Sequence, residues 1–188
     1  MLVSFFKSFN LFTTEEVEEI VSLFEYQSIK KGTYFIREGE YCTSIALIEV
    51  GIFRSFYTHD DERELTYCFR FSNDLIGAYS AFITGNASIE NIQAIVDTKV
   101  WSIPKVSLDN LAIELPQWNT FLKILAEQQY LELENRVISF QRETAHERYK
   151  NLLIHQPVYV QQIPLQYLSS YLGITQRHLS RIRKEISF

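Results

Sequence analysis

Gln176, Arg177, Ser180 and Arg181 combine side chains that hydrogen-bond base edges with a spacing that groups them. On a helix, residues three and four apart share a face, so the four form one stripe. Arg bonds guanine at two points and Gln does the same with adenine. Thr175, His178, Arg183 and Lys184 flank the stripe and suit phosphate oxygens, contacts that set register without reading sequence. The chemistry these types can do together is recognition of duplex DNA.

Such a stripe works only if its helix is held from behind. In "LQYLSSYLGITQRHLSRIRK" the apolar positions Leu168, Leu172, Ile174, Leu179 and Ile182 fall where the two helices of a helix-turn-helix meet. Ser169 is the small residue at the close approach, and Gly173 is the turn residue that tolerates a left-handed backbone. Thr175 is the expected N-cap of the second helix, and Pro164 suits the first turn of the first. Upstream, Thr144 and Glu147 have capping-box spacing ahead of Tyr149, Leu152 and Leu153.

The rest of the chain must carry and pair this element. The segment after Pro116 has no Gly or Pro until beyond residue 141, and as a helix it would extend roughly 37 Å. Leu122, Leu125, Gln129, Leu133, Val137 and Phe140 recur along it at three- and four-residue steps, which predicts a dimer seam, the alternative being a single amphipathic helix lying on its own roll. From Ser28 to about Pro104, short apolar or alternating runs are separated by turn signals, as in a roll, sandwich or barrel. Thr13 and Glu16 open a short N-terminal helix.

Of 188 residues, 46% are apolar and 22% charged, the composition of a soluble globular protein. The net charge of −5 is uneven: residues 142–188 hold seven Lys or Arg against three Glu, a balance of +4 that leaves −9 for the remainder. An acidic body with a basic tail fits a nucleic-acid partner. There is no G-x-S-x-G, P-loop, paired His or Cys–His arrangement, so no catalytic residues are assigned and the expectation is not an enzyme. Cys42 and Cys68 lack neighbours at metal-ligand spacing and read as small core residues, so no metal or cofactor is expected. Neither a targeting segment nor a run of ~20 apolar residues occurs, so the expected location is the cytoplasm, with no membrane partner.

The whole layout resembles the Crp/Fnr superfamily of bacterial transcription regulators, the catabolite-activator-protein type. "KKGTYFIREGE", "IALIEVGIFRSFY", "NDLIGAYSAFITG" and "IQAIVDTKVWSI" carry the resemblance, with Gly32, Gly39, Gly51 and Gly77 at the family's turn positions. "YLGITQRHLSRIRK" is the most specific piece and resembles Bacteroidetes members. The implied fold class is α+β: an antiparallel β-roll of the cyclic-nucleotide-binding type over 1–115, a long dimerisation helix over 116–141, and a helix-turn-helix domain over 142–188. The implied partners are a pseudo-palindromic DNA operator, a second copy of the chain, and RNA polymerase. Many relatives continue into a β-hairpin wing, which this sequence is not expected to have.

In ligand-binding relatives a Gly-Glu pair and an Arg followed by Ser or Thr hold the cyclic nucleotide. Here Gly77 is followed by Ala78, and Ser88 and Ile89 stand where the Arg-Ser pair would be. No Lys or Arg occurs between Phe71 and Asp97, and a buried phosphate without a countercharge is costly. Cyclic AMP and cyclic GMP are therefore not expected to bind, and any other effector is unknown. Tyr67, Phe69, Tyr79 and Phe82, with Gly77, Ala78, Ser88 and Ile89, mark the segment where an effector would lie, although the four aromatic residues read first as core. An effector sensor whose C-terminal domain contacts a protein is the alternative to DNA binding.

Overall fold

Apolar side chains at i and i+3 organise the helices nearest the N-terminus. A computed structural model describes residues 1–186; Ser187 and Phe188, where the resemblance would have a wing begin, lie outside the described residues. Helices α1 (Leu2–Lys7) and α2 (Thr14–Ser22) come first. The expected capping box forms at α2: the Glu16 amide donates to Thr13 Oγ1 at 3.2 Å, and the Thr13 amide donates to Glu16 Oε2 at 2.8 Å. Val17 and Ile20 are thereby turned into a cluster with Phe6, Leu111, Trp118 and Phe121.

Eight strands follow: β1 (Glu25–Ile29), β2 (Tyr34–Ile36), β3 (Ser44–Val50), β4 (Phe53–Thr58), β5 (Glu64–Arg70), β6 (Leu75–Ile76), β7 (Asn91–Ala94) and β8 (Thr98–Pro104). They make two four-stranded sheets, ordered β1-β8-β3-β6 and β2-β7-β4-β5. The registers Glu25↔Ser102, Ile45↔Ile103 and Ser55↔Ile92 show antiparallel pairing between strands distant in sequence, the pattern of a roll. Strand β3 does not alternate, because both of its faces are covered. Leu47 packs into the helical cluster, while Ala46 and Ile48 belong to the roll interior with Ile36, Phe53, Ile92 and Val100.

Two helices interrupt or follow the strands: α3 (Tyr79–Thr84), between β6 and β7, and α4 (Lys105–Glu114), after β8. Sequence reasoning did not place α4, which buries Leu108 and Leu111 one turn apart. The long helix α5 spans Pro116–Arg142. Four helices complete the described residues: α6 (Ala145–His155), α7 (Pro157–Gln162), α8 (Leu165–Leu172) and α9 (Gln176–Ile186). Pro164 is the N-cap of α8 rather than a residue of its first turn, with ψ +141° outside the helical region. Pro157 begins α7, a first-turn position that needs no amide donor.

The chain divides into two compact units. One comprises Met1–Tyr57 with Cys68–Ala126; the other joins Thr58–Tyr67 to the residues from Glu127 onward. The hairpin tip joins the second unit because Ser170 Oγ donates to Glu64 O at 2.7 Å and accepts from the Thr66 amide at 2.9 Å. No helix among the described residues is long and apolar enough to cross a membrane.

Candidate nucleic-acid interface

The basic stripe needs a helix fixed on its apolar side, and α8 provides that support. Leu168 and Leu172 on α8 and Leu179 and Ile182 on α9 are all buried, and buried Ser169 keeps the approach of the two backbones small. Ser169 Oγ is satisfied locally by donating to Gln166 O at 3.0 Å. The turn is made by Gly173 at φ +70°, ψ +32°, where a side chain would be strained. The Ile174 amide donates back to Ser169 O at 3.0 Å, closing the end of α8. Thr175 Oγ1 accepts from the His178 amide at 3.2 Å and so caps the start of α9.

This packing leaves Gln176, Arg177 and Arg181 exposed along one side of α9, with Ser180 half-buried between them. Arg181 has 70% of its side chain exposed and a long 3.9 Å approach to Glu185. Of the residues assigned to phosphate, Thr175 and Lys184 are exposed, whereas His178 and Arg183 are half-buried. Four cations against one acid along α9 give a surface complementary to a polyanion.

The seam residues of α5 divide into two sets. Leu122 and Leu125 pack against the helical cluster of their own unit. Gln129, Leu133, Val137 and Phe140 are exposed, as are Tyr130, Leu131 and Ile138. Phe140 also has a place in its own chain: the nearest atom of its ring lies 2.8 Å from where a Cβ on Gly173 would be.

The eight effector-segment residues differ in exposure and in the unit they belong to. Tyr79 and Ile89 face solvent, while Ala78 and Phe69 are buried. Ser88 is occupied locally, its Oγ donating to Glu90 O at 2.8 Å, and Tyr67 belongs to the second unit. Gly77 has no left-handed backbone; the Ile45 side chain requires its small size, because a Cβ there would lie 2.8 Å from Cγ2. A half-open cavity of about 590 Å³ in the first unit includes Phe82 in its wall, together with Tyr41, Cys42 and Lys105. Burial pushes the Cys42 thiol above its usual pKa range, so it stays protonated there. Among the described residues no cluster of His, Cys, Asp and Glu is arranged to hold a metal ion.

Sequence reasoning missed three arginines. Arg54, in β4, is 1% exposed and stacks 3.8 Å from the Phe56 ring centroid; a lone Arg within the apolar run "IFRSFYT" was the available signal. Arg136 and Arg148 line a second cavity of about 430 Å³, between α5, α6 and α8, and carry no local sequence signal.

Residues 26–114 match the family described as the cyclic nucleotide-binding domain. The chain is 26% identical to the transcriptional activator protein Anr of Pseudomonas protegens over 179 residues, 95% of this chain and 69% of that one. Its fold is similar to the structure of FixK2 from Bradyrhizobium japonicum, with a TM-score of 0.77 and 20% identity, covering 87% of this chain and 84% of that one. It is also similar to the catabolite activator protein of Thermus thermophilus, with a TM-score of 0.60 and 20% identity over 93% and 84% of the two chains. These likenesses show an α+β fold with a cyclic-nucleotide-binding-type roll, a long helix and a C-terminal helix-turn-helix.

Proposed function

We infer that the chain is a sequence-specific DNA-binding transcription regulator of the Crp/Fnr type, working as a dimer paired along α5. The observation that carries this reading is the exposed Gln176, Arg177 and Arg181 stripe on a helix whose opposite side is fixed by α8. Helix α9 enters the major groove, Gln176, Arg177, Ser180 and Arg181 read base edges, and Thr175, His178, Arg183 and Lys184 meet phosphates. Two copies then present α9 to half-sites about 34 Å apart. The relationship to Anr, a transcriptional activator by name, supports a role in transcription, and RNA polymerase is the further partner that role calls for. The recognition text is of the Bacteroidetes type.

The effector pocket is degenerate toward cyclic nucleotides. Ala78 cannot bond a ribose hydroxyl, Ser88 bonds its own turn, and Ile89 faces solvent. Isothermal calorimetry with cyclic AMP and cyclic GMP is expected to give no heat of binding at micromolar concentrations; a micromolar Kd for either would overturn this part. The DNA reading is tested by in vitro selection from random duplexes, with a two-fold symmetric consensus as the expected result. Selection that returns no enriched sequence would refute it.

A further inference from the structure

The last carbonyls of any helix lack partners within it, and at the end of α8 two arginines supply them. Arg136 Nη2 donates to Tyr171 O at 2.9 Å, and Arg148 Nη2 donates to Leu172 O at 3.1 Å. Arg136 also donates to Thr66 O in the hairpin tip at 3.3 Å, and Arg148 to Glu143 O at 2.6 Å near the end of α5. Each guanidinium therefore bridges two backbone segments, a task for a planar fork with several donors and not for a point charge.

Two cations this close repel, and three features offset the repulsion. The Phe140 ring lies against both, 4.8 Å from Arg136 and 4.6 Å from Arg148. Arg136 stacks in addition on Tyr171 at 3.9 Å. The C-terminus of α8 presents the negative end of its dipole to them. Burial and the neighbouring Arg136 lower the Arg148 pKa while Glu143 raises it, and a guanidinium stays charged throughout. Phe140 abuts Gly173, so the turn that launches α9 is held from the same side.

We propose that Arg136, supported by Arg148 and Phe140, is the positioning residue that fixes the helix-turn-helix onto the long helix and so sets the half-site spacing the dimer accepts. The inference rests on the DNA-binding reading above. In a dimer paired along α5, the separation of the two α9 helices depends on the joint between α5 and α8. A joint made of main-chain carbonyls gripped by guanidinium forks resists the small rotation that one extra base pair between half-sites would demand.

The test uses the full chain, with Arg136→Ala and Arg136→Lys compared with wild type after thermal melts show both variants folded. Hydrogen exchange is read at the Gly173 and Ile174 amides without DNA, and both variants are expected to exchange faster there. Binding is then measured on the selected duplex and on one lengthened by a single base pair between half-sites. Wild type should discriminate between the two; Arg136→Ala should lose about tenfold on the selected duplex and much less on the lengthened one, a contrast that a merely structural role would not produce. The slope of log affinity against log salt should stay unchanged, since Arg136 touches no phosphate.

Equal losses on both duplexes, a salt slope reduced by about 1.8 (about 0.9 for each copy), or full rescue by Lys would each overturn the proposal. A wild-type chain that binds no duplex would refute the DNA reading, and unchanged exchange at Gly173 and Ile174 would refute the clamp independently.

Discussion

Arg177 and Lys184 are both exposed cations on α9, yet they face different parts of a duplex in the proposed complex. Arg177→Ala should cost about 1–3 kcal/mol of specific affinity and relax one base preference. Lys184→Ala should weaken all sequences alike and lower the salt slope by roughly 2, about 0.9 for each copy in the dimer. Gel-shift titrations on selected and scrambled duplexes, repeated across a salt series, separate the two outcomes. At the turn, Gly173→Ala should lower stability by about 1–3 kcal/mol in denaturant melts, because its φ is +70° and the new methyl meets Phe140. Adding Phe140→Ala should recover the steric part and leave the backbone part, so the double-mutant cycle gives a non-zero coupling. The cap of α6 adds a pH dependence. The Glu147 carboxylate, accepting from the Thr144 amide and hydroxyl, is held below the usual carboxylate range. Its contribution is present above the unfolded carboxylate pKa of about 4.3 and disappears as pH falls through the lower folded value. Thr144→Ala should cost about 1 kcal/mol at neutral pH and flatten the acid limb of the stability curve.

At the scale of elements, α5 is one helix with two kinds of apolar residue. Leu122 and Leu125 complete the cluster that holds Trp118 and Phe121, so a polar group at either position would damage the unit's own packing. Leu133 and Val137, which are 58% and 47% exposed, have no such duty. Leu133→Asp with Val137→Asp should therefore yield monomers in sedimentation velocity while leaving the melting curve of the first unit unchanged. An unchanged sedimentation coefficient would count against pairing along this helix. Strand β3 shows the same division on a smaller scale: Leu47 serves the helices, while Ala46 and Ile48 serve the roll interior.

For the whole molecule, the charge split is the dominant long-range term. In the complex proposed above, the +4 of residues 142–188 is attracted to duplex phosphate, whereas the remaining residues sum to −9 and contribute no net attraction. Binding to the selected duplex should fall on the order of a thousandfold between 50 and 200 mM salt if six or more phosphates are neutralised by the dimer. Flat salt dependence in anisotropy titrations would contradict that. Both capping boxes, the α8–α9 packing and the left-handed Gly173 were legible in the sequence because each depends on residues only a few positions apart. The stripe of Gln176, Arg177 and Arg181 followed from the same short-range periodicity. Tertiary structure alone decided that Thr66 would meet Ser170 across 104 positions, that Arg54 would be buried, and that Arg136 and Arg148 would grip the end of α8. Local pattern fixes which face of an element is apolar. Which distant backbone segment comes to need a donor is settled only when the chain has packed, and those three arginines answer to that packing.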